Sequence, residues 1–302
     1  MTPLAWAVAA IVDVFIIDRG VYRNPNQAAA ISGMVVAIPF SLIALSAWDP
    51  ASLDSTSVVL GLGGGLCDLL MLWFYYKALF TTNDVTHAET FFNLEVLFIP
   101  MLAFIFIGEQ LSSENFLGVG LAVIGVLILN RCAERYTSRG ARMAGYLLAA
   151  VLASSSSLVI QDMVFARTSY WNGIGNYAIG IMLGVLLLAR CYGPLRGVKT
   201  FWRNHGVILA AEVFTLIATF TSLRAIDLSP SVSLVAVIES TRPMLIMLAC
   251  LLGWAVLRQI RLCGAEEIQA LRDQFDVAPA KLAANGFIIG GVYIVSSTAL
   301  TS

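Results

Sequence analysis

Charge is what this sequence has least of. Only 12% of its 302 residues are charged, against 59% that are hydrophobic, and the mean hydropathy is +0.83. Soluble domains carry about twice that share of charge, so a soluble catalytic or nucleic-acid-binding domain is excluded by composition. Two histidines and five cysteines fall into no metal-ligand spacing and no disulfide framework; neither a metal nor a cofactor is expected. His87 has no neighbouring ligand set. No Walker A run is present, which removes direct ATP hydrolysis. The first apolar stretch carries Asp13 but lacks the preceding basic segment and following small-residue cleavage site of a signal peptide, so it reads as a span.

What the chain does have is apolar runs. A membrane-spanning helix needs about 20 mostly apolar residues, and ten runs approach that length: roughly 3–17, 27–48, 57–80, 86–108, 114–130, 142–164, 172–190, 205–224, 231–254 and 282–300. The expected fold is an all-α integral membrane protein of about ten transmembrane helices, multi-pass in the cell or inner membrane, with the lipid bilayer as a partner. The stretch "AEEIQALRDQF" near 265–275 reads as a short interfacial helix or, equally, as a solvated spacer.

The net charge of −1 says nothing about partners, but its distribution does. Arg19, Arg23, Arg131, Arg135, Arg139, Arg142, Arg190, Arg196, Lys199, Arg203, Arg258, Arg261, Arg272 and Lys281 all fall in odd-numbered connections. The even-numbered ones hold Asp49, Asp54, Glu109, Glu114 and Asp227, with Arg167 as their clear base. The positive-inside rule then places the odd connections in the cytosol and both termini outside. Cys132, Cys191 and Cys263 lie on that same side, Cys67 and Cys250 within spans.

The chain also resembles itself. "IIDRG", "AAAISGMVVAIPFSLIAL" and "FYYKAL" are answered by "VFART", "NYAIGIMLGVLLLA" and "SLRAID", matching Arg19 to Arg167 and Lys77 to Arg224. "GVGLAVIGVLIL" is answered by "ANGFIIGGVYIV" after an insertion in the ninth connection. Two repeats are therefore expected, residues 1–141 and 142–302, the second with an insertion at about 255–281. Five spans per repeat is an odd number, so the second repeat enters the membrane inverted, and such pairs place their site near the midplane.

"FYYKAL" closing the third run, and "LFIPMLAFIFIGEQLSSENFLGVGLAVIGVLIL" with Pro100, Gly108, Glu109, Gly118, Gly120 and Gly125, resemble the EamA-type, ten-helix branch of the drug/metabolite transporter superfamily. The resemblance implies carriage of small organic metabolites and cytosolic termini, the opposite of what charge placement gives. The second repeat lacks the Gly-Glu, reading "LLGWAVLRQ" with Trp254.

Polar residues inside the runs are the candidates for a site, because an ionised group at a bilayer centre costs roughly 2.5–3.5 kcal/mol on insertion scales. "VAVIESTRPMLIMLACLLG" places Glu239 and Arg242 in mid-run, within reach along a helix, with Pro243 freeing a backbone carbonyl nearby. Arg242 is expected to meet an anionic group of the solute, with Glu239 holding it or exchanging a proton; a self-neutralising structural pair is the alternative. Glu212, Thr215, Thr219 and Ser222 share one helical face, read as cavity lining for Glu212 and as cavity lining or interhelical bonding for the hydroxyls. "ASSSSLVIQDM" brings Ser154, Ser155 and Ser157 near Gln161 and Asp162, the latter two the better contacts. Asp68, Leu72 and Tyr75 share a face with Tyr76 beside them. Glu89 reads as interfacial; Glu95, deeper, is the better buried acid. Lys77 and Arg224 suit snorkelling to the interface as a structural or interfacial basic pair, and Gly61, Gly63, Gly64 and Gly65 suit close helix packing.

These features point to a secondary transporter for a small-molecule solute, not an enzyme, working by alternating access and coupled to protons if burial makes its carboxylates titrate. A lipid or lipid-linked sugar translocator is the alternative, and a multipass membrane transferase a weaker one. Nucleic acid is not an expected partner; a homodimer is allowed.

Overall fold

The computed structural model describes residues 2–18, 20–47, 49, 51, 53–82, 85–110, 112–133, 138–192, 195–242, 244–246, 248–249, 252, 255, 283–284, 286–291 and 293–294. Pro243, Cys250, Trp254, Cys263 and the whole 256–281 insertion lie outside them, as do the side chains of His87 and Cys132. Among the described residues the elements are all helices: α1 Thr2–Asp18, α2 Pro25–Ser46, α3 Ser55–Thr82, α4 Val85–Phe92, α5 Glu95–Ile107, α6 Ser113–Ala133, α7 Ser138–Phe165, α8 Tyr170–Tyr192, α9 Leu195–Leu228 and α10 Val232–Glu239. The described residues between 283 and 294 are helical as well.

Pro25–Ser46, Ser55–Thr81, Arg142–Phe165 and Tyr170–Cys191 are each long and apolar enough to cross a membrane. Their neighbours turn large apolar side chains outward: Phe104, Ile105 and Phe106 on α5 are each more than 60% exposed. A surface of that kind suits lipid.

Local signals explain where the helices start and stop. Asn24 accepts from the Gln27 N–H at 2.9 Å ahead of Pro25, satisfying a donor the helix itself cannot. Asp54 accepts from the Ser57 N–H at 2.5 Å, and that bond holds its exposed carboxyl below the usual range. Gly108 ends α5 at φ 74°, a conformation that favours glycine. The adjoining Glu109 carboxylate takes the hydroxyl of Ser231, which in turn accepts from the Leu234 N–H to start α10. The Gly-Glu pair thus ties the end of α5 to the start of α10.

Two runs expected to be continuous are broken. The 86–108 run divides at Asn93 and Leu94, where Leu94 N–H and Val96 N–H reach carbonyls only three residues back. The 231–254 run turns at Ser240 and Thr241, whose hydroxyls bond the Val237 and Ile238 carbonyls. Hydroxyls that compete in this way for backbone acceptors bend helices. The two breaks meet: Asn93 Nδ2 donates to the Ser240 carbonyl at 2.7 Å.

α3 packs chiefly against α7 and α8, α2 against α8, and α1 against α9. A Cβ on Gly65 would collide with the Tyr177 carbonyl, one on Gly61 with Asn176 and one on Gly64 with Gln161, whereas Gly63 faces open space. α6 approaches the 283–294 segment equally closely. A Cβ on Gly125 would meet Ala284 and Ile288, and one on Gly291 would meet Gly118 and Ala122.

Candidate functional site

A cavity with about 760 Å³ of empty space, its open mouth included, lies among α1, α3, α4, α7, α8, α9 and α10. Four carboxylates line it, Asp13, Asp68, Glu89 and Glu239, with Arg242 as the basic residue on the wall. Trp6, Tyr75, Tyr76, Phe92 and Tyr177 supply aromatic surface, and Ser154, Ser157, Thr215, Thr219 and Ser222 supply hydroxyls.

The charged groups are held by specific partners. Arg242 Nη2 donates to Glu239 Oε2 in an ion pair one turn long, and Ser222 Oγ donates to Glu239 Oε1 at 2.6 Å. The Arg242 guanidinium lies 5.0 Å from the Trp6 ring centroid and 6.0 Å from that of Phe92, close enough for attraction to both ring faces. Its Nε is buried without a partner. Tyr75 OH donates to Glu89 Oε1 at 2.5 Å, and the Tyr177 hydroxyl is hydrogen-bonded to Asp68. The break in the 231–254 run leaves Glu239 as the last residue of α10 and Arg242 just past the turn, which is why both side chains reach one cavity.

The structure brings Glu239 and Arg242 together on the cavity wall. Glu95 begins α5 immediately after the Asn93 break and lies close enough to Arg242 and Glu239 to feel their charge; it is buried but not on the wall. Thr215, Thr219 and Ser222 line the cavity, whereas Glu212, one turn earlier, sits behind it. Thr219 spends its hydroxyl on the Thr215 carbonyl of its own helix. Gln161 is fully buried against Gly64 with both amide atoms unpartnered, and Asp162 feels the charge of Glu109; neither is on the wall. Ser157 bridges to the Gly64 carbonyl at 2.9 Å.

Lys77 and Arg224 are outside the cavity wall. Lys77 Nζ is 3.4 Å from the Trp73 ring centroid, with the Phe74 and Tyr146 rings at 5.4 Å. Arg224 pairs with Asp227 and covers the Tyr170 ring at 4.9 Å. Both cations are thus engaged locally.

Sequence reasoning passed over Asp13 and Glu89. Asp13 is an ionisable residue inside a run, the same signal that singles out Glu239. Glu89 looked interfacial from its place near the start of a run, but it is only 5% exposed.

The solved structures include one, described only as the crystal structure of a protein, that is 16% identical to this chain, with 99% of this chain and 97% of that one covered at a TM-score of 0.65. At that identity the likeness is one of fold. No curated protein matches the chain. Residues 2–131 match the EamA-like transporter family, which belongs to the drug/metabolite transporter superfamily, so the resemblance carried by "FYYKAL", Pro100, Gly108 and Glu109 is borne out: this is an integral, multi-pass membrane protein whose first part is similar to that family.

Proposed function

We propose that the protein is a secondary transporter that moves a small organic metabolite by alternating access between two inverted five-helix repeats, coupled to protons. The observation that carries this reading is the cavity itself. Ionisable groups that are costly to bury in a bilayer converge on it from both ends of the sequence, Asp13, Asp68 and Glu89 from one and Glu239 and Arg242 from the other. A surplus of carboxylates over one paired guanidinium favours a solute with a cationic or donor-rich portion, and the free Nε of Arg242 favours an anionic group beside it.

Reciprocal contacts support the inverted repeat. Aligning "GVGLAVIGVLIL" with "ANGFIIGGVYIV" matches Gly118 to Ala284, Ala122 to Ile288 and Gly125 to Gly291. Gly125 packs on Ala284 and Ile288, and Gly291 packs on Gly118 and Ala122, which is what a two-fold axis between the repeats requires. Asn93 and Ser240, at the two helix breaks, are hydrogen-bonded at a separation of 147 residues, the same separation as Lys77 and Arg224. Broken helices meeting at a repeat interface are where transporter sites lie.

A thermal-shift screen of purified protein against a metabolite library tests the reading, since binding to the folded state raises apparent stability. The expected result is stabilisation by one metabolite class, followed by uptake of that class into proteoliposomes. Turnover of a substrate in detergent without any gradient would favour a membrane transferase instead, and stabilisation by amphiphiles alone a lipid translocator.

Orientation is tested separately. Cys191 is an exposed thiol at the odd-connection end of α8. With odd connections cytosolic, an impermeant thiol reagent leaves it unlabelled on intact cells and labels it after permeabilisation. Labelling on intact cells reverses the orientation.

A further inference from the structure

Glu212 has no exposed surface and lies off the cavity wall, yet it is connected to the cavity. Its Oε1 accepts from Ser32 Oγ and from Tyr22 OH at 3.2 Å. Ser32 Oγ also lies 2.8 Å from Tyr76 OH, with either as donor. Tyr76 OH in turn donates to Asp13 Oδ2 at 3.2 Å, and Asp13 is on the wall. α9, α2, α3 and α1 each supply one member of this chain.

Counting hydrogens shows what the chain holds. Three contacts separate Asp13 from Glu212, and the two hydroxyls own one hydrogen each. With both carboxylates ionised, one contact is left with two facing lone pairs; with both protonated, four hydrogens compete for three contacts. One extra proton completes the chain. It sits on Glu212, donating through Ser32 and Tyr76 toward Asp13, or on Asp13, donating through Tyr76 and Ser32 toward Glu212.

We propose that Asp13, Tyr76, Ser32 and Glu212 form a relay that holds one transferable proton and exchanges it between the buried Glu212 and the cavity. In transfer the Glu212 O–H bond breaks as one forms at Ser32, the Ser32 hydrogen passes to Tyr76, and the Tyr76 hydrogen passes to Asp13. Each hydroxyl gains one hydrogen and loses one, so a single negative charge moves from Asp13 to Glu212. Asp13 and Glu212, joined through two hydroxyls, hold this proton as a pair. The titratable groups facing them are Tyr22 at the Glu212 end and Tyr75 and Glu89 at the Asp13 end; Arg242 acts on Glu89.

The relay lies toward the odd-connection face. Asp13 is five residues from the end of α1, Ser32 seven from the start of α2 and Tyr76 six from the end of α3, depths of about 8–11 Å at the helical rise. Tyr22, the hydrogen-bond donor to Glu212, belongs to the first connection, between α1 and α2.

The proton count is independent of the transport reading, while the coupling role rests on it. The readout is the infrared stretch of protonated carboxyl groups in purified protein at neutral pH, with folding checked by thermal unfolding. Glu212→Gln and Asp13→Asn should each lose one protonated-carboxyl signal, because either amide supplies the hydrogen the chain lacked. The double variant should lose that same signal and no more. A double loss equal to two signals, or no loss in either single variant, overturns the relay. Ser32→Ala, which removes no carboxyl and serves where an isostere fails to fold, should shift the signal; an unshifted signal also overturns it. In proteoliposomes loaded with the metabolite found by the thermal-shift screen, Ser32→Ala should keep solute exchange at equal pH but lose accumulation driven by a pH gradient. Retained accumulation overturns the coupling role. If the unaltered protein transports nothing, the transport reading falls and the infrared result still decides the relay.

Discussion

Arg242→Met is expected to abolish metabolite-dependent thermal stabilisation and uptake, and to destabilise the protein. Arg242 is 6% exposed and Glu239 4%, so methionine leaves a buried carboxylate without its partner, with Glu95 and Glu89 also near the vacated charge. Removing one member of a buried pair costs about 3–5 kcal/mol. Replacing both members by neutral groups of similar volume costs far less and is often neutral. Glu239→Gln with Arg242→Met is therefore expected to recover most of the thermal stability while uptake stays lost. The two measurements separate the roles. If stability and uptake recover together in the double variant, or if Arg242→Met alone transports normally, the pair is structural and the solute binds elsewhere in the cavity.

The pair was legible because its cost is legible. Two charges in the middle of an apolar run require a reason, and the reason proposed from the sequence, a polar interior, is where the structure puts both. Asp13 meets the same criterion, but its run, roughly 3–17, is shorter than the roughly 20 residues a span needs, so its depth cannot be read from hydropathy. Glu89 is hidden from hydropathy by its place near the start of a run, and its burial follows from the tertiary contact of the short α4 with Tyr75.

Apolar runs revealed most helix positions because hydropathy averages over many residues, and for the same reason it missed the two breaks. Asn93 and the Ser240–Thr241 pair are single polar positions within strongly apolar surroundings. Their effect on the backbone depends on which carbonyl each side chain captures, which no window average contains. The relay was further out of sight. Ser32 reads as one small hydroxyl in α2, and nothing in local spacing predicts that it will stand between Tyr76 and Glu212, 44 and 180 residues away. Gln161 shows the converse. Its polar neighbourhood "SSSSLVIQD" suggested a contact residue, while its place is set by Gly64 on α3, a tertiary fact.

Gly65→Leu is expected to prevent recovery of folded protein, while Gly63→Leu two residues away is tolerated. Both sit on α3, and both lose the same small helix penalty of glycine, about 1 kcal/mol relative to alanine, so intrinsic propensity favours the two substitutions equally. Surroundings decide the outcome. A Cβ at position 65 would overlap the Tyr177 carbonyl and crowd the Ile181 N–H and the Gly180 Cα of α8. These are backbone atoms, which cannot rotate aside as a side chain would, so α3 and α8 must separate. Overpacking of a filled interior costs about 1–3 kcal/mol and sometimes more, and here the separation would also pull Asp68, one turn along, from the Tyr177 hydroxyl it bonds. At position 63 nothing lies within 4 Å of the added atom, and an extra leucine on an apolar outward face costs little in lipid. Monodisperse yield from detergent and thermal unfolding of the two variants are the measurements. Equal behaviour would mean that α3 and α8 do not approach so closely, and the wall that both helices give the cavity would need to be redrawn.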